Sequence, residues 1–176
     1  MYRLGSHTGL KTGGEGLRLE DVALNILVDA DACPVKEIIV KVAEEKNLPV
    51  ILFMDTSHAW NRDNPPWVTV VTVDKERDGV DIALINRAQK NDVVVTQDYG
   101  VAALALGKGV RALNQNGLIF SSQNMDKLLF ERHLGQKVRR AGGRTKTTRK
   151  RTAEDDESFE KALRRILDEK QDNIMF

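Results

Sequence analysis

The stretch of residues 24–46, LNILVDADACPVKEIIVKVAEEK, constrains this chain more than any other. Its apolar run ends in two aspartates one residue apart, Asp29 and Asp31, and a proline follows at Pro34. Proline suits the first turn of a helix, where its missing N–H costs nothing. Beyond it Val35, Ile38, Ile39, Val42 and Ala43 recur at i, i+3, i+4, i+7 and i+8, the period of a helix with one buried face. A buried strand that empties into an acidic loop, and then at once into a helix, is the opening of a βαβ unit. Carboxylates at the carboxyl end of such a strand stand on the edge where open α/β sheets receive ligands.

The alternation continues downstream. Residues 49–54 (PVILFM) and 67–73 (WVTVVTV) read as second and third strands, the latter rich in β-branched side chains. Residues 55–66 between them are a polar loop carrying Ser57, His58 and Trp60. Residues 78–90 (DGVDIALINRAQK) read as a helix and 92–96 (DVVVT) as a fourth strand. A helix over 99–106 can be capped by Asp98 and ended by Gly107 or Gly109, and 110–113 is a short fifth strand. The prediction is a three-layer α/β domain over residues 24–135, with a mostly parallel sheet of about five strands and helices on both faces. Residues 1–23 carry five glycines and no sustained apolar period, and read as a flexible extension. Past Asn114 the pattern turns helical: Met125, Leu128, Leu129 and Arg132 share one face of a helix over 122–134. Residues 136–153 are a basic arm or loop. Within 154–176, Phe159, Ala162, Leu163, Ile166 and Leu167 mark an amphipathic helix expected to dock on the domain.

Composition narrows the function classes. With 41% hydrophobic and 30% charged residues the chain can bury a core and keep a solvated surface. No apolar run approaches the roughly 18 residues of a membrane span, so no membrane partner is expected. The N-terminus lacks the apolar centre of a secretory signal. Cys33 is the single cysteine, which rules out an internal disulfide and fits a reducing, cytoplasmic setting. His7, His58 and His133 are scattered, so the clustered N and S ligands of a zinc site are missing and any metal would be held by oxygen. The N-terminal glycines lack the GxxxxGK[ST] pattern and follow no strand, so they form no phosphate-binding loop. The net charge of +1 conceals a division. Residues 25–113 hold 10 Lys/Arg against 13 Asp/Glu, whereas 136–151 hold 8 Lys/Arg and no acid. An acidic half beside a basic arm is the arrangement expected for a polyanionic substrate with metal among the carboxylates, although a solvated linker has the same charge pattern.

In a parallel sheet the strand carboxyl ends share one edge. Asp29 and Asp31 leave the first strand there, and Asp98 leaves the fourth, two residues after Thr96. Asp78 and Asp81 open the helix entered from the third strand, and their i, i+3 spacing puts both on one helical face. Five carboxylates far apart in sequence are therefore expected to converge. Like charges held that close repel unless protons or cations intervene. Mg²⁺ or Mn²⁺, which prefer oxygen ligands, resolve the conflict and can polarise a phosphodiester and activate water. Each acid also has a plain structural reading: Asp98 as a helix cap, Asp78 and Asp81 as first-turn residues favoured by the helix dipole. Ser57 and His58 read as part of a surface loop; the alternative, a nucleophilic pair reaching the same edge, lacks an orienting acid. Cys33 reads as a small packing residue, and Trp60 and Trp67 as packing over the sheet, with base stacking as the alternative.

The strings VDADACPV, RDGVDIALIN and VVTQDYGVAALAL, with a Gly-Gly basic segment before a final Phe-containing helix, resemble the bacterial YaiI/YqxD family over residues 25–168. That family is in turn similar to PIN-like (PIN and NYN) nuclease domains. Their pattern has an aspartate ending the first strand, a D-x-x-I-A-x-x-A helix, and T-x-D after the next strand. Asp29 matches the first, Asp81 with Ile85 and Ala88 matches the second loosely, and Thr96 with Asp98 matches the third. The resemblance implies a metal-dependent ribonuclease, with Asp29, Asp81 and Asp98 as ligands of Mg²⁺ or Mn²⁺ and Asp31 and Asp78 as further catalytic acids. A further acid usual in the pattern, on the helix before D-x-x-I-A, has no equivalent between the second and third strands here. Thr96, Ser57, His58, Arg139, Arg140, Arg144 and Lys146 are then expected to face the substrate, RNA, and self-association is left open. Two alternatives stand beside this reading. One is a non-catalytic nucleic-acid-binding module of the same fold. The other is a haloacid-dehalogenase-type phosphatase with Asp29 as nucleophile and Asp31 as acid.

Overall fold

A computed structural model describes residues 24–31, 33–57, 63–74, 78–142 and 149–169. The expected N-terminal extension, and with it Trp60 and part of the basic arm, lies outside the described residues. Among the described residues six strands, β1 (Ile26–Asp29), β2 (Val50–Asp55), β3 (Val68–Val73), β4 (Val93–Val95), β5 (Arg111–Leu113) and β6 (Ile119–Phe120), alternate with or precede five helices. These are α1 (Lys36–Lys46), α2 (Gly79–Arg87), α3 (Tyr99–Gly107), α4 (Ser122–Arg140) and α5 (Ala153–Asp168). The strands form one sheet of order β3-β2-β1-β4-β5-β6, parallel throughout except for β6.

Side chains alternate across the sheet, and the two sets pack different helices. Ile26 and Val28 of β1, Leu52 of β2 and Val93 and Val95 of β4 join a core with Ile39 and Val42 of α1 and Phe159, Leu163 and Ile166 of α5. Leu27, Phe53, Val94 and Ala112 face the other way, into a core with Leu84 of α2, Val101 and Ala105 of α3 and Met125 of α4. The three-layer α/β architecture read from the sequence is the one observed.

Three details differ from the expectation. β6 is a sixth strand, only two residues long and antiparallel to β5. So short a strand has no period to read; it exists because Asn114 Oδ1 accepts the Asn116 and Leu118 N–H groups and turns the chain back. Helix α4 runs to Arg140 rather than 134, so Arg139 and Arg140 sit on its last turn instead of in a loop. Lys137, Arg139 and Arg140 there favour the negative end of the helix dipole. Finally, Pro34 and Val35 form the turn before α1, which begins at Lys36.

The amphipathic C-terminal helix docks on α1, completing the core on that face. Thr152 and Asp155 close a capping box at its start, with Thr152 N–H donating to Asp155 Oδ2 at 2.8 Å. At its end the Arg111 guanidinium donates to the carbonyls of Ile166 and Glu169. On the amino side of the sheet the buried Asp92 carboxylate accepts from the backbone N–H groups of Asn25 (2.9 Å) and Gln89 (2.8 Å), joining β1 to the loop before β4. Among the described residues no helix is long and apolar enough to cross a membrane.

Candidate active site

The strand order reverses beside β1: β2 and β3 extend to one side, β4 and β5 to the other. In open α/β sheets the crevice at such a switch point, outside the strand carboxyl ends, is where ligands bind. Asp29 is the last residue of β1 and shares the parity of Leu27, so it belongs to the face covered by α2 and α3. Thr96 follows β4. Its hydroxyl donates to Asp29 Oδ2 at 3.2 Å and accepts the Asp98 N–H at 3.0 Å. The side chain is buried, with 2% of its surface exposed. Thr96 also lines the crevice beside Asp29 and Asp31, and its hydroxyl, with both partners inside the protein, ties Asp29 to Asp98.

The carboxylates act on one another. Burial pushes the Asp29 carboxyl up to about 6; the Thr96 hydrogen bond opposes this, and the charges of Asp81, Asp31 and Asp98 add to it. Asp81, in the first turn of α2, is also pushed up, first by burial and then by Asp98 and Asp78. Asp31, in the turn after β1, accepts the Asp55 N–H, with oxygens at 3.2 and 3.3 Å. Asp98 has a double duty: Oδ1 caps α3 by accepting the Gly100 and Val101 N–H groups at 2.6 and 3.1 Å. Its Oδ2 faces Arg132 Nη2 at 3.6 Å. Asp78 corrects the expectation of a shared helical face. It precedes α2 at φ 60, outside the helix and exposed, and its charge raises Asp81.

Whether this set fits a cation is decided by donor chemistry and by reach. Among the described residues no group of three or more His, Cys, Asp or Glu side chains is gathered closely enough to hold a metal ion. Of the expected ligands Asp29, Asp81 and Asp98, the last has one oxygen on its helix cap and the other 3.6 Å from Arg132. The donors themselves suit Mg²⁺ or Mn²⁺, being all carboxylate, and Asp29 and Asp81 are both held above their ordinary values by burial and by each other's neighbours. Mg²⁺ is commonly held by one or two carboxylates, with water and substrate phosphate completing the shell.

The remaining expected residues are dispersed. Ser57 lies beyond the end of β2, where its N–H and hydroxyl both donate to Asp55 Oδ1, forming a local turn. Arg140 is exposed at the end of α4, and Arg139 lines a cavity described below. His58, Arg144 and Lys146 lie outside the described residues. Cys33 is a core residue, 7% exposed, and burial pushes its thiol up, away from a reactive thiolate.

Sequence reasoning missed a set of amide and arginine side chains. The acidic crevice, about 50 Å³, is lined by Gln97 and Gln115 as well as Asp29, Asp31 and Thr96. Beside it a cavity of about 430 Å³ is walled by Tyr99, Asn116, Arg132 and Arg139 together with the same two glutamines. Gln115 and Asn116 belong to the string NQNG, which on its own signals only a turn. What gives them a place in the site is the β5–β6 hairpin, which sets that turn beside the end of β4. Arg132 was legible as a face residue of α4 but not as a neighbour of Asp98.

A doubly wound sheet with interacting carboxylates at its switch point defines an α/β protein with an acidic sheet edge. The chain belongs to the YaiI/YqxD family: the profile described as "Uncharacterized BCR, YaiI/YqxD family" matches residues 27–169. It is 66% identical to a UPF0178 protein of Ruminiclostridium cellulolyticum over 140 residues, covering 80% of this chain and 90% of that one. A UPF0178 protein of Exiguobacterium sibiricum is 46% identical over 149 residues, 85% of this chain and all of its own length (100%). One from Clostridium acetobutylicum is 49% identical over 146 residues, covering 82% and 97% respectively. No solved structure matches the chain. The family resemblance read from VDADACPV and its companion strings is thereby borne out.

Proposed function

We propose that this protein is a metal-dependent phosphodiesterase acting on RNA. The observation that carries the reading is the raised, half-buried Asp29 at the sheet switch point, with Asp81, Asp31 and Asp98 close enough to raise it further. Such a concentration of negative charge is costly to maintain unless a cation is part of the working state. Mg²⁺ or Mn²⁺ at Asp29 and Asp81 would supply Lewis-acid polarisation of a phosphodiester and stabilise the leaving oxygen. The chain's own residues do the rest. Thr96 fixes the Asp29 carboxylate through its hydroxyl and, through the Asp98 N–H, the start of α3. Asp31, which lines the same crevice, orients an attacking water and accepts its proton. Arg139 and Arg140 hold backbone phosphates without reading sequence. The single cysteine, kept in the core, supports a cytoplasmic setting.

The test is cleavage of unpaired RNA with Mn²⁺, comparing wild type with Asp29→Asn and Asp98→Asn. Asparagine keeps the α3 cap at position 98 while removing the charge. Both variants are expected to lose roughly 100-fold or more in rate with their melting temperatures preserved. Undiminished cleavage in both sinks the site. RNA binding that persists in EDTA with no turnover under any metal favours the non-catalytic module instead. A beryllofluoride adduct on Asp29 favours the phosphatase.

A further inference from the structure

Apart from Arg139, the walls of the 430 Å³ cavity beside the acidic crevice take no part in the cleavage proposed above. Its size falls within the roughly 300–1,000 Å³ of small-ligand sites. It is continuous with the crevice, because Gln97 and Gln115 line both, and Gln97 Nε2 donates to Gln115 Oε1 at the boundary. We infer that this cavity holds one unpaired nucleotide of a single-stranded RNA, placing the adjoining phosphodiester over Asp29. The inference rests on the nuclease reading and names how its substrate is seated.

The walls match a nucleotide part by part. Side-chain amides each present both a donor and an acceptor, the pairing that the edges of bases require. Gln97, Gln115 and Asn116 supply three of them, and Glu131 adds an acceptor suited to an exocyclic amino group. The Arg132 guanidinium lies over the Tyr99 ring, 5.5 Å from its centroid. Tyr99 is itself set edge-on against Phe120, centroids 5.7 Å apart at 71°, so the platform is anchored in the core. Bases stack on aromatic rings and on arginine planes alike. The same Arg132 faces Asp98 at 3.6 Å, which ties the platform to the acidic group. Arg139 lies seven residues further along α4, two turns on and on the same face, where a cation meets the next phosphate. A base can present its edge and face to such a cavity only when it is unstacked. This excludes the interior of a duplex and selects single strands.

The experiment is fluorescence anisotropy on the full chain in EDTA, with a short unpaired RNA, the same sequence folded into a hairpin, and nucleoside monophosphates as competitors. Gln115→Ala and Arg132→Lys are compared with wild type; the second keeps the charge and loses the plane. Each is expected to weaken binding of the unpaired strand by roughly tenfold while leaving the weaker hairpin binding unchanged. A thiouridine in the strand is expected to photo-crosslink to the segments around Tyr99 and Gln115. The subsite is overturned if the wild type does not bind the strand, or if both variants bind it as the wild type does. It is equally overturned if the loss is the same on hairpin and single strand, or if monophosphates compete as well as the strand. The two readings fail separately. Variant-sensitive binding without cleavage in any metal overturns the nuclease and keeps the subsite. Cleavage at limiting substrate that both variants leave at the wild-type rate overturns the subsite and keeps the nuclease.

Discussion

Asp29 is pulled in two directions at once. The Thr96 hydroxyl steadies its charged form, while burial and three neighbouring carboxylates oppose it, and the opposition wins, lifting the group from 3.8 to about 6. A carboxyl raised on folding binds its proton more tightly in the native state. It therefore contributes stability below pH 3.8 that is lost as the pH rises through about 6. Asp29→Asn removes that loss. In EDTA, urea denaturation should find the variant more stable than wild type by about 2 kcal/mol at neutral pH, after discounting for partial exposure. The difference should vanish toward pH 4. A constant difference across this range would mean that Asp29 is not strained by its surroundings. Asp98 illustrates the opposite economy: one side chain caps a helix, faces an arginine and adds to the field on Asp29 and Asp81.

Among the elements, the β5–β6 hairpin and α5 are the pair that closes the molecule. Gly117 in the hairpin turn has φ +82, a conformation that L side chains rarely adopt, and an added Cβ would stand 2.8 Å from the Ser158 carbonyl oxygen of α5. Gly117→Ala must either twist the turn or push α5 outward. A loss of about 1–3 kcal/mol in urea denaturation is expected. Hydrogen exchange should quicken in the first turns of α5 and leave β1 and β2 unchanged. Acceleration spread evenly over the sheet would argue that the hairpin and helix are not locally coupled. The same turn carries Gln115 and Asn116 into the cavity, so its geometry is shared between packing and recognition.

For the molecule as a whole, the far end of the chain completes the core begun by its first strand. Phe159, Leu163 and Ile166 are buried against α1 and the same sheet face as Ile26 and Val28. Leu163→Ala should therefore lower global stability by about 3 kcal/mol, the middle of the range for a leucine truncated in a packed core. Far-UV circular dichroism and tryptophan fluorescence should still report one coincident transition. Helix signal lost ahead of the rest would show α5 to be an appendage.

The sequence by itself determined the layers and the edge. Period-2 and period-3.6 patterns are local, and each strand or helix must bury its apolar face whatever its neighbours do, so five strands, both helix layers and the placement of Asp29, Asp31, Asp81 and Asp98 at one sheet edge were legible. So was the docking of an amphipathic C-terminal helix. Tertiary structure alone decided what those acids do to each other. Asp78 turns left-handed just before α2 and its charge acts on Asp81, while Asp98 caps α3 with one oxygen and faces Arg132 with the other. Tertiary structure also gathered Gln97, Gln115, Asn116 and Arg132 around one cavity. Polar residues carry no periodic signal, and their meeting depends on a two-residue strand and the angle of one helix.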